Sequence, residues 1–112
     1  MKLTEKVLNT VNEMGTVGKF SNCTVIANSL DHGQPHVHYL CDGKLVAKIE
    51  IPNKVIKNQS ELKIVEKGSA YKEYLMTDFV KWVNSTKQMK DGSKMKNYDY
   101  ASTAWDILHN IV

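Results

Sequence analysis

Three of the four histidines in this 112-residue chain fall within seven positions, in the run Asp31-His32-Gly33-Gln34-Pro35-His36-Val37-His38. On a strand, alternate side chains share a face, so His36 and His38 point the same way while His32 approaches from the preceding turn. Three imidazole nitrogens with an open fourth position form the donor set of a catalytic rather than a structural zinc site. The cofactor such a set calls for is a divalent transition metal held by His32, His36 and His38. Asp31 and Glu50 are the carboxylates placed to orient an imidazole or to serve as a base, and Cys41 stands close by in sequence. The plainer alternative puts His36 and His38 on a half-wet sheet face, with His32 shaping a turn through hydrogen bonds to backbone.

Other residues with chemical potential are more scattered. Lys87, Lys90, Lys94 and Lys96, followed by Tyr98 and Tyr100, resemble the mix of cations and stacking rings used on single-stranded nucleic acid. Against that, the chain has no arginine: lysine alone supplies its 15 positive charges, against 12 acidic residues. The planar fork that grips phosphates and guanine edges is therefore missing. Cys23 and Cys41 lie among β-favouring residues, where a thiol acts as a small hydrophobe. The first residues alternate charge with apolar side chains and do not form a secretory leader, so the chain reads as cytoplasmic and both thiols are expected to be reduced. His109 reads as an exposed residue near a helix end, and Trp82 and Trp105 as core residues. No phosphate-binding glycine loop or nucleophile elbow occurs.

These residues need elements to hold them. Val7, Leu8, Val11 and Met14 recur at helical spacing and predict an N-terminal amphipathic helix over 4–14. Val17 to Ile26 favours one or two short strands, and 30–35 a loop. Residues 36–41 and 44–51 predict two strands joined by Asp42-Gly43, a pair suited to a tight hairpin turn. In the second strand Leu45, Ala47, Ile49 and Ile51 should face inward, with Val46, Lys48 and Glu50 outward. A further strand is expected over 61–65. From Ser69 the period turns helical, with Tyr71, Tyr74, Leu75, Phe79, Trp82 and Val83 on one stripe. Residues 87–96 read as a connection to a last helix carrying Ala101, Ala104, Trp105, Leu108 and Ile111, capped by Asn97 or Asp99. The prediction is one α+β domain over 1–112: a small antiparallel sheet centred on the 36–51 hairpin, packed against C-terminal helices within 69–112. No stretch approaches the ~20 apolar residues that span a bilayer.

The stretch 17–51 resembles a family of short bacterial and phage proteins known as domain of unknown function family 4160. The resemblance rests on Phe20, Val25-Ile26, Asp31-His32, Pro35-His36-Val37-His38, Asp42-Gly43 and Ala47-Lys48-Ile49-Glu50-Ile51. Gln34 stands where the family's motif usually carries a proline. The resemblance implies a fold core, a focal site at the histidines and a setting like that of toxin–antitoxin pairs. Three functions are then expected. The first is a small binding or regulatory module that docks a protein partner or a second copy of itself. The second is a metal-dependent hydrolase or nuclease built on His32, His36 and His38. The third is a nucleic-acid-binding accessory protein using the lysine cluster.

Overall fold

Asp42 and Gly43 both adopt positive φ, 53° and 75°, and turn β3 (His36–Cys41) back onto β4 (Lys44–Glu50) as the Asp-Gly pair predicts. This hairpin is the centre of the computed structural model, which describes residues 15–28, 31 and 33–109. The helix expected over 4–14 lies outside the described residues, as does Ile111. Preceding the hairpin are β1 (Thr16–Phe20) and β2 (Cys23–Ile26); β5 (Ile64–Lys67) follows a short 3-10 turn at Gln59–Glu61. The five strands pair antiparallel in sequence order, β1-β2-β3-β4-β5. Helix α1 (Glu73–Asn84), a two-stranded ribbon of β6 (Thr86–Gln88) and β7 (Lys94–Lys96), and helix α2 (Asn97–Leu108) complete an α+β fold.

Register decides which side chains meet. Val25, Tyr39 and Ala47 are cross-strand partners, as are Val37 and Ile49, so all five share one face, and all are buried. Helix α1 covers that face with Met76, Phe79 and Val83, which recur at helical spacing. Tyr39 packs its ring 5.2 Å from that of Phe79 and donates its hydroxyl hydrogen to the Leu75 carbonyl at 2.8 Å. Trp82 lies so close over β1 that any side chain at Gly18 would collide with its indole at 2.4 Å.

Several local expectations are corrected. Val46 is buried because the register steps from Tyr39↔Ala47 to Leu40↔Leu45, leaving Val46 as a bulge on the inner side. Tyr74 is 64% exposed: it stands two residues, about 200°, from Met76 and so on the far side of α1. The strand expected over 61–65 begins at Ile64, because Asn58 and Glu61 close a capping box around the preceding turn. The connection over 87–96 contains a hairpin. Asn97 does not cap α2; its side-chain amide donates to the Trp82 carbonyl at 2.7 Å and ties the two helices together.

The expectation of reduced thiols is also overturned: Cys23 and Cys41 form a disulfide. The register places them directly opposite one another, and the neighbouring bond from Asp42 N–H to the Asn22 carbonyl marks theirs as a non-hydrogen-bonded pair, the close-approach type. Their Cα atoms are 4.0 Å apart. Such bonds persist in oxidising surroundings, so the cysteines lend no support to a reducing compartment.

Candidate metal centre

The face of β3 opposite the core carries His36 and His38, whose cross-strand partners are Glu50 and, for His38, Ile26 and Lys48. His36 sits at the strand's first position, where Pro35 ends the loop and the carbonyl of Gln34 turns back toward the ring. His36 Nδ1 donates to that carbonyl at 2.9 Å. A neutral ring protonated at Nδ1 keeps the Nε2 lone pair available for an acid or a metal. The two imidazoles lie nearly parallel, 5.6 Å apart at 19°. The loop from β2 brings Asp31 between them, its Oδ2 3.4 Å from His36 Nε2 and 2.8 Å from His38 Nε2.

Asp31, His36 and His38 form the one group among the described residues whose ligand-capable atoms lie within 4.8 Å of one another. Asp31 Oδ2 and His38 Nε2 are sealed from solvent, and despite their 2.8 Å separation neither makes a hydrogen bond. Their spacing is that of a hydrogen bond but their alignment is not, which leaves two buried polar atoms side by side with no hydrogen bond between them. Around a tetrahedral zinc ion, bond lengths near 2.0–2.1 Å place ligand atoms about 3.3 Å from one another. The Asp31–His36 distance matches that spacing, and the Asp31–His38 distance reaches it with a widening of about 0.5 Å. A carboxylate between two imidazoles can equally form an ion pair when one ring is protonated.

The last turn of α2 walls the site. Trp105 is buried but stands outside the main apolar cluster, its indole 5.3 Å from the His36 ring and 3.9 Å from that of His109. His109 Nδ1 lies 2.8 Å from the Trp105 carbonyl and Nε2 lies 2.8 Å from the Asp31 backbone carbonyl. A neutral imidazole has one N–H to offer these two acceptors; the imidazolium serves both. His109 is therefore a half-buried link between helix and loop and not the exposed residue expected. The signal for it in the sequence is the i, i+4 spacing of Trp105 and His109, which places two rings on one helix face.

The remaining candidates are not gathered here. His32 lies outside the described residues. Glu50 is opposite His36 in register but is not among the converging atoms. It lines a cleft of about 470 Å³ with Pro52, Ile56, Leu62, Lys63 and Glu61. Backbone N–H groups of Asn58 and Lys57 hold the Glu61 carboxyl below its usual value. Cys41 faces the core and is bonded to Cys23, a link that encloses all three converging residues within its chain loop. Of the lysine cluster, Lys87 Nζ lies 5.0 Å over the ring of buried Tyr100 and Lys96 Nζ donates to the Asn84 carbonyl at 2.8 Å. Lys90 and Lys94 remain exposed. The nucleic-acid reading thus finds two of its four cations and one of its two rings already engaged within the fold.

Compared with protein-family models, curated proteins and solved structures, the chain matches none. Among the described residues no helix is long and apolar enough to cross a membrane.

Proposed function

We propose that this domain binds one divalent transition-metal ion through Asp31, His36 and His38 and acts as a metal-dependent module. The observation that carries the reading is the meeting of Asp31 Oδ2 and His38 Nε2, both buried and neither hydrogen-bonded, beside the available Nε2 of His36. Two imidazoles and one carboxylate suit zinc, iron or cobalt better than the oxygen-seeking magnesium or calcium. The Gln34 carbonyl supports it further, since metal-binding imidazoles commonly donate their other N–H to such a group. Elemental analysis of protein purified without an affinity tag or chelator tests the proposal, run beside His36→Ala/His38→Ala. Near one equivalent of metal in the native chain and none in the variant is expected; a folded native chain that neither carries metal nor takes it up reduces the cluster to an ion pair.

A second reading, metal-dependent hydrolysis, draws on the number of ligands. Three protein donors leave a fourth position for water, the arrangement of a hydrolytic rather than a structural metal site. Turnover of a chromogenic phosphodiester by zinc-loaded protein, abolished in His38→Ala, is the expected result. The partner-docking reading rests on the resemblance to family 4160 and on no residue of this site. Co-purification of a stoichiometric partner from the native host is its test.

A further inference from the structure

We infer that the metal centre is coupled to the docking of α2, with His109 as the positioning residue that joins them; this rests on the metal-binding reading above. The contacts form a closed circuit. The Asp31 side chain faces His36 and His38 while its backbone carbonyl lies 2.8 Å from His109 Nε2. His109 is tied to Trp105 through that residue's carbonyl and by ring stacking at 3.9 Å and 22°, and the Trp105 indole also lies 5.3 Å from the His36 ring. Two of the three ligands are thus held, one through its backbone and one through its ring, by the final turn of a single helix.

The circuit spans the chain. Asp31 and His109 are 78 residues apart, and Asp31 belongs to no strand. The Asp31 N–H donates to the Asn28 carbonyl at 3.2 Å, just past the end of β2, and the contact with His109 adds a hold on the Asp31 carbonyl from the far end of the chain. A loop ligand restrained in this way needs less ordering when the ion arrives, and binding then favours the docked helix by the same free energy. The device makes α2 a reporter of metal occupancy: an ion that fixes Asp31 and His36 should hold the last turn of α2 to the sheet more firmly than the His109 and Trp105 contacts do by themselves.

The test combines zinc affinity, measured by chelator competition, with amide exchange over 97–109 in the absence and presence of zinc. It compares the native chain, His109→Ala and His109→Gln, the last of which keeps an N–H donor where Nε2 stood. The expected result is a gain of protection in α2 on zinc addition to the native chain. In His109→Ala zinc should bind about 10–100-fold more weakly, the range seen when a group supporting a metal ligand is removed, and the gain in α2 should be lost. His109→Gln should recover part of both. Native-like affinity and native-like gain in His109→Ala would overturn the coupling and leave the metal site standing. Failure of the native chain itself to bind zinc would overturn both. If His109→Ala does not fold, unchanged α2 exchange in the zinc-loaded native chain overturns the coupling by itself.

Discussion

β3 presents two faces on one backbone, and they are finished differently. On the inner face Val37, Tyr39 and Cys41 are buried and satisfied within the chain: apolar side chains pack, the phenol has the Leu75 carbonyl, and the thiol is bonded to Cys23. One residue out of phase, His36 and His38 meet a carboxylate with polar atoms buried and not hydrogen-bonded. The inner face is complete without any added group, whereas the outer face gathers one carboxylate and two imidazoles whose donor atoms lie within 4.8 Å of one another. The lesson is one of division: the inner face should govern stability and the outer face metal binding, and variants of one should leave the other's property largely alone.

The largest effect should come from the inner face. Phe79→Ala removes the ring packed on Tyr39 and should cost about 3–5 kcal/mol in denaturant unfolding, while the fraction that stays folded binds zinc with native stoichiometry. Loss of zinc binding from that folded fraction would break the division. Next is the disulfide, whose partners are separated by 18 residues. Replacing both cysteines by serine, or reducing them with a dithiol, should cost about 3 kcal/mol by the loop-entropy estimate. Because the closed loop contains Asp31, His36 and His38, this variant sharpens the comparison: zinc should restore part of the lost stability.

A smaller effect is expected at Tyr39. Burial, and secondarily the charges of Asp78 and Tyr74, hold its phenol far above the ordinary value of 10.0. With the folded value raised, its contribution is fully present below pH 10 and is lost as pH rises beyond it. Tyr39→Phe removes the hydrogen bond to the Leu75 carbonyl, so it should lose about 0.5–1.5 kcal/mol at neutral pH and show a shallower fall of stability in alkaline unfolding than the native chain. The smallest effect belongs to Glu61, on the exposed capping box. Its folded value is lowered, so its contribution is present at neutral pH and disappears as pH falls through that value. Glu61→Ala should narrow slightly the stability difference between neutral and acidic unfolding, without change in zinc binding.

Much of the division was legible in residue order. The period of two along 36–41 separates the histidines from Val37 and Tyr39, and Asp42-Gly43 announces the turn that makes the strand a strand. Asp31 was visible as a neighbour of the cluster, though its position between the two rings depends on a loop path that residue order does not encode. The contact with His109 was illegible for a different reason: it is made to a backbone carbonyl, which any residue possesses, across 78 positions. The Cys23–Cys41 bond required the β2–β3 register, and the bulge at Val46 the β3–β4 register, both of which emerge only when strands pair. Local periodicity conveys which face a side chain occupies; it does not convey which distant main-chain atom comes to rest beside it.

The most direct test of the division is the zinc affinity of metal-free protein, measured by competition with a chromophoric chelator for the native chain and His38→Ala, alongside their metal-free melting curves. One ion per native chain is predicted, with His38→Ala losing more than the about 10–100-fold that removal of a supporting group costs, while the two metal-free melting curves nearly coincide. Equal zinc affinity in the two proteins, or no binding by a folded native chain, would contradict the account and leave Asp31 and the histidines as an ion pair on the outer face of β3.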